Sequence, residues 1–277
     1  MSFLLVDRIL EFSPGRSATG TLQIPSGPED FPLALAVEAL GQLATWIAME
    51  HSSFQQRPVA AIAGEVLSVG DVRAGDLLHL SVDVSTLRAN AMRYRGEARV
   101  DGSASITMNR CTGAMLPMEV FDDASDVRTH FENLRRGETP SRGFPRRTEF
   151  APRIEWGENT PEGVVRATLE APGNADFYLD HFPRKPVYPA TLLLDAKIDI
   201  ARRVLAQEAP DPAGRWRVNA VRNVKVRSFT PPGGRVDVEV RETDARSDSG
   251  ERAVSMEASS GEERVSSATV WFGPEPA

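Results

Sequence analysis

Three side chains stand out as able to move protons. Glu38 lies in the most apolar stretch of the chain, Leu33 to Ala48, where the only polar side chains are Glu38, Gln42 and Thr45. Their i, i+4, i+7 spacing draws one stripe along an otherwise apolar helix. A helix apolar around the rest of its circumference is one that a sheet buries. Burial disfavours the carboxylate anion and so raises its pKa, which suits a general acid. Gln42, one turn on, is placed to hold Glu38. His181 sits in the segment Asp180-His181-Phe182-Pro183-Arg184-Lys185-Pro186-Val187-Tyr188-Pro189-Ala190-Thr191-Leu192-Leu193-Leu194-Asp195. A neutral imidazole titrates near working pH and serves as a base with little perturbation. Asp195 (195 − 181 = 14 residues on) shares a helical stripe with Asp199 and Arg202. An ion pair within the helix accounts for it as well as an acid role does.

The elements that must carry these groups occur twice. In the first part, short strands near Val6–Phe12 and Ser17–Gln23 precede a helix after Pro32. Alternating segments follow at Val59–Val69, Leu77–Leu87, Tyr94–Val100 and Ala104–Leu116. In the second, Arg153–Trp156 and Gly163–Leu169 precede a helix after Pro189, and strands follow at Arg217–Val226, Val236–Glu242, Ala253–Ser259 and Val265–Phe272. Pro32 and Pro189, Glu38 and Asp195, and Ala63 and Ala220 each differ by 157, and Gly75 and Gly233 by 158. A helix followed by a run of strands, present twice, predicts a duplicated α+β module in which a sheet wraps a helix. The expected boundaries are residues 1–121 and 151–277, joined by a polar linker at 122–150 with one short helix at Val127–Leu134.

Composition narrows the function. The 277 residues carry 32 basic and 39 acidic side chains, a net charge of −7, which argues against a general nucleic-acid coat. The single cysteine, Cys111, excludes a disulfide framework and a cysteine-based zinc site. His51, His79 and His130 are scattered with no metal-ligand spacing, and no phosphate loop or dinucleotide fingerprint occurs. The first residues do not read as a signal peptide, and Leu33–Ala48 reads as too short to span a bilayer. A soluble cytoplasmic protein is expected.

The segment from Asp180 to Asp195 resembles the signature of the FabZ/FabA-type 3-hydroxyacyl-[acyl-carrier-protein] dehydratases. In that family a His-Phe-Pro-Gly-x-Pro-Val-Met-Pro-Gly run leads into a central helix, with an acid fourteen residues past the histidine. Val6-Asp7-Arg8-Ile9-Leu10-Glu11 looks like the family's opening strand. Phe31-Pro32-Leu33-Ala34-Leu35-Ala36-Val37-Glu38-Ala39-Leu40-Gly41-Gln42 resembles its helix. The resemblance implies a double hot-dog fold, two antiparallel sheets each wrapped around a long central helix. It also implies removal of water from a 3-hydroxyacyl thioester in fatty-acid or polyketide synthesis, with no cofactor and no metal.

In the family each site takes its histidine from one hot dog and its acid from the other. Carried over, His181 is the base and Glu38 the acid, Gln42 positions the acid, and the N–H of Ala190 serves the thioester oxyanion. Phe182, Pro183, Tyr188 and Pro189 form the substrate loop. The opposite site pairs Ile24 with Asp195 and lacks a base, so Asp195 is an alternative acid only. Arg184 and Ala190 stand where the family has glycine, and a positive φ at Arg184 would be strained. The expected partner is acyl carrier protein or acyl-CoA, with Arg135-Arg136, Arg146-Arg147, Arg184-Lys185 and Arg202-Arg203 as either carrier contacts or plain solvated surface. A homo-oligomer or a partner within a biosynthetic complex is also compatible. Two rival readings are a hot-dog thioesterase and a degenerate acyl-binding subunit without activity.

Overall fold

The computed structural model describes residues 3–26, 31–138, 147–158, 160, 163–208, 216–246 and 250–274. Expectations that fall on Arg146 and on the Thr139–Arg142 stretch lie outside these. Strands β1 (Arg8–Ser13) and β2 (Ser17–Gln23) lead into helix α1 (Leu33–His51). Strands β3 (Gln56–Ser68), β4 (Leu77–Arg88), β5 (Ala91–Val100) and β6 (Ser103–Pro117) follow. Helix α2 (Ala124–Arg136) and a single turn, α3 (Arg147–Phe150), connect to β7 (Arg153–Trp156) and β8 (Val164–Glu170). Helix α4 (Ala190–Glu208) precedes β9 (Trp216–Val226), β10 (Arg235–Arg246), β11 (Arg252–Ser260) and β12 (Glu263–Pro274). The strands join into one antiparallel sheet of order β1-β2-β4-β5-β6-β3-β9-β12-β11-β10-β8-β7. This is the double hot-dog: the sheet continues across β3 and β9, and α1 and α4 pack against its strands and against each other.

Helix α1 forms because Ala34, Leu35, Ala36, Ala39, Leu40, Leu43, Ala44 and Ala48 are strong helix formers, and their small or branched-at-γ side chains let the sheet close tightly. All eight are essentially inaccessible. Nineteen residues of this composition satisfy the length of a membrane crossing, so length does not exclude a span as the sequence reading expects. The helix is instead the wrapped core of the first half, mostly buried by the sheet.

The seam between the halves is an antiparallel pairing in which Ala63 faces Val224, Glu65 faces Arg222 and Leu67 faces Ala220. Adding the repeat offset turns 63, 65 and 67 into 220, 222 and 224. The ladder is therefore its own image, and Glu65 and Arg222 occupy the same place in the two repeats, on the pseudo-twofold axis. They form an ion pair, Arg222 Nε donating to Glu65 Oε1 at 3.1 Å. Gly75 and Gly233, expected to correspond, both adopt positive φ, +90° and +69°.

Helix α2 contains the short helix expected at Val127–Leu134, but the segment is more than a polar linker, because one face of the helix is apolar. Val127, Phe131 and Leu134 (i, i+4, i+7) are buried. Phe131 meets Phe12 edge-on at 5.0 Å and stacks on Trp46 at 5.9 Å. The helix is thus docked on β1 and α1, capped by Asp123 through Ser125 N and ended by Gly137 in the left-handed region. Its many charges hid a stripe only three residues wide.

Candidate active site

The loop that carries His181 follows a single 3-10 turn, Asp176–Leu179, whose Phe177 carbonyl accepts from His181 N at 2.9 Å. The imidazole stacks on Phe182 at 4.3 Å and meets Phe3 edge-on at 5.2 Å. Phe182 has φ +60°, a conformation that costs a non-glycine residue energy. It is kept there by a small buried cluster with Phe121 and Val187. The positive φ falls on Phe182 and not on Arg184, so the condition under which the arginine would be strained is not met. Arg184 fastens the loop instead: its N–H donates to Phe121 O at 3.0 Å, and its guanidinium pairs with Asp123 at 2.8 Å.

Glu38 projects from the second turn of α1. Its Oε1 accepts from Gln42 Nε2 at 3.0 Å, and its Oε2 accepts from Thr191 Oγ1, on the first turn of α4, at 2.9 Å. Gln42 also clamps the N-terminal segment, accepting from Leu5 N at 2.8 Å and donating to Phe3 O at 2.9 Å. The same amide therefore fixes both the acid and Phe3, the ring against His181. Burial pushes the Glu38 pKa up. The hydrogen bonds from Gln42 and Thr191 and the charge of Arg57 pull the other way and do not overcome it. Burial, helped by the Arg57 cation, holds the imidazole of His181 down to about 3. The pair is thus a carboxyl that resists ionising and an imidazole that stays neutral.

Glu38 and His181 line one cavity between the halves. Ala190, the first residue of α4, also lines it, and as a helix N-terminus carries an N–H with no acceptor inside the helix. Trp46, Met49, Met92 and Leu193 give the cavity an apolar wall, and Phe229, 36% exposed, is a lining residue that also reaches solvent. Of the expected loop residues, Phe182 and Tyr188 line the cavity. The Tyr188 hydroxyl, however, donates to Phe150 O at 2.9 Å and so serves the scaffold. Pro183 is exposed and Pro189 buried, and neither reaches the cavity wall. Asp195 is buried on α4 outside the cavity lining, and Ile24 is buried at the equivalent of the histidine position (181 − 157 = 24). Arg202 pairs with Asp199 at 3.2 Å.

Two members of the site were not foreseen. Thr191 is inside the quoted segment, but nothing in its spacing shows that the two helices meet there. Arg57, at the start of β3, lies in an alternating strand where an arginine reads as solvent-facing. It is instead largely covered and lines the cavity, paired with Asp122 at 3.1 Å and with its guanidinium 4.7 Å over the ring of Phe182.

The chain is similar in sequence to known dehydratases and in fold to known thioesterases. A family model described as ApeI-like, ApeI dehydratase, matches residues 157–268, a span that holds His181 and α4. The 3-hydroxyacyl-[acyl-carrier-protein] dehydratase FabZ of Dechloromonas aromatica is 34% identical over 114 residues, 36% of this chain and 79% of that protein. The FabZ of Bacillus subtilis is 35% identical over 112 residues, with 36% and 79% covered. Among solved structures, a putative oleoyl thioesterase from Lactobacillus plantarum superposes with TM-score 0.63 at 12% identity, covering 94% of this chain and 97% of that one. An acyl-ACP thioesterase from Bacteroides thetaiotaomicron gives 0.53 at 14% identity, covering 92% and 98%. At such identities these structures speak for the fold alone.

Proposed function

Because the chain belongs to the FabZ-type 3-hydroxyacyl-[acyl-carrier-protein] dehydratases, we propose that it removes water from a 3-hydroxyacyl thioester through one site built from both halves. His181 takes the proton from the carbon next to the thioester carbonyl. Glu38, held protonated by burial, gives its proton to the departing hydroxyl, which leaves as water. The thioester oxygen gains negative charge as the proton leaves, and the Ala190 N–H, backed by the dipole of α4, is the donor that meets it. Gln42 and Thr191 keep the carboxyl in place. The observation that carries this reading is that an acid from α1 and a base from the second half share one apolar-walled cavity.

The substrate is delivered as an acyl chain on acyl carrier protein, or as acyl-CoA, through the side of the cavity marked by Phe229. Lys185, 5.0 Å over the Phe229 ring and exposed, supplies positive charge there for an acidic carrier or a nucleotide phosphate. The mostly buried state of α1 supports a soluble protein. Hydration of a crotonyl thioester, which runs the reaction backwards, tests the whole reading: loss of the enoyl absorbance is expected. Folded protein that leaves the absorbance unchanged, or that releases free acid and thiol, overturns it, the latter in favour of a thioesterase.

A further inference from the structure

Arg57 does more than pair with Asp122. Its side chain is 12% exposed and lies on the cavity wall, within electrostatic reach of Glu38 on α1 and of His181 on the loop. Asp122 engages only Nη1, while Nε is enclosed with no acceptor among the described residues. A guanidinium remains charged under all working conditions and presents five donors, so an enclosed one with donors unfilled is costly unless something else supplies an oxygen. The cavity admits one visitor of suitable chemistry, the acyl substrate. Glu38, close enough that the Arg57 cation bears on its ionisation, marks where the leaving hydroxyl lies in the proposed reaction, where the thioester oxygen is served by Ala190 N–H.

Resting on the dehydratase reading above, we infer that Arg57 donates a hydrogen bond to the 3-hydroxyl oxygen of the substrate and so selects the hydroxylated acyl chain over its dehydrated product. As the carbon–oxygen bond breaks, its electron pair passes to that oxygen, Glu38 adds the proton and water departs. Arg57 keeps all its protons and stabilises the charge that builds on the oxygen in between. Two further contacts orient the guanidinium: Asp122 holds one edge, and the face of Phe182 supports the plane.

The test compares two ligands that differ in the hydroxyl alone: the 3-hydroxybutyryl and crotonyl thioesters of N-acetylcysteamine. Dissociation constants are measured in a His181→Ala background, where neither ligand is converted, with and without Arg57→Met. The hydroxyacyl ligand is expected to weaken by roughly tenfold or more, the scale of a hydrogen bond from a charged donor, and the crotonyl ligand by less than about twofold. Equal weakening of both ligands, or of neither, overturns the assignment. Should Arg57→Met fail to fold, Arg57→Lys retains the charge without the fork and gives the same comparison. Asp122→Asn, which leaves the guanidinium present, is expected to preserve the discrimination between ligands. Loss of it there would reduce Arg57 to half of an ion pair. Residual turnover in His181→Ala instead removes the base assignment on which the inference rests.

Discussion

Glu38 and Thr191 are 153 residues apart in sequence and 2.9 Å apart in space, the hydroxyl of one helix N-terminus donating to the carboxyl of the other helix. The contact couples the two halves at the point where the proposed acid works. It also opposes, without cancelling, the effect of burial on the Glu38 pKa.

Glu38→Gln should therefore remove the proton donor while keeping the helix packed. Hydration of crotonyl thioester, in which the same carboxyl group takes the proton from the attacking water, is expected to slow by roughly a hundredfold to ten-thousandfold, the usual worth of general acid–base catalysis. Thr191→Val should keep most activity and shift the alkaline limb of the kcat/KM profile to higher pH. The sign follows because the lost hydrogen bond was one of the interactions favouring the anion. A limb that stays put or moves to lower pH would falsify this account of the contact.

His181 is expected to leave no inflection near pH 6.5 in the same profile. Its imidazole is depressed to about 3, so it is already neutral throughout the ordinary working range, and the acid-side fall lies well below the value of a free histidine. An acid limb centred on 6.5 in the free enzyme would show that the imidazole is better solvated than its surroundings of Phe3 and Phe182 imply.

Asp195 occupies the mirror position of Glu38 but lies outside the cavity lining, and Ile24 stands where its histidine would be. Asp195→Asn is expected to hold the hydration rate within about twofold of the parent, since no proton carrier is removed. A loss approaching that of Glu38→Gln would mean that the second site works.

Lys197 offers a prediction about stability. It is 2% exposed on α4, donates to Ser266 Oγ at 2.8 Å, and burial holds its amine down to about 7, with the charge of Glu257 opposing. The unfolded chain keeps an ordinary lysine near 10.5, so between about pH 7 and 10.5 it binds more protons than the folded chain. Stability should rise with pH across that window and be flat with respect to this group below it. The repeat places leucine at the corresponding position (197 − 157 = 40). The double variant Lys197→Leu with Ser266→Ala is therefore expected to stabilise the protein by about 1–3 kcal/mol at pH 7 and to flatten the rise. Urea unfolding at several pH values measures both.

The repeat and nearly every strand were legible because each half alternates apolar and polar residues over long runs, and because one offset of 157 aligns proline, acid and strand positions together. Glu38 and Gln42 could be read because they interrupt an apolar helix, and His181 because its prolines and following helix form a known pattern. Arg57 could not, since a strand that starts beside a cavity shows the same alternation as one facing solvent. Helix α2 was underestimated for a related reason. Its stripe of Val127, Phe131 and Leu134 is sparse, and its worth depends on Phe12 and Trp46, which come from elsewhere in the chain. The arginine at position 184 showed that a positive φ there would be strained, but not that Phe182 carries it instead, because the Phe121 and Val187 packing that keeps Phe182 in the left-handed region is a tertiary matter.

The pairing of Glu65 with Arg222 bears on how such a molecule evolves. When two identical subunits associate around a dyad, any residue sitting on it confronts its own copy, so a charge there repels itself. Covalent joining of the copies lifts that restriction and lets the two sides acquire opposite signs. Once they have, neither half remains self-complementary: a dimer of first halves would set glutamate against glutamate, and one of second halves arginine against arginine. Each half is then committed to its sibling on the same polypeptide, and histidine and acid need to be maintained only once between them.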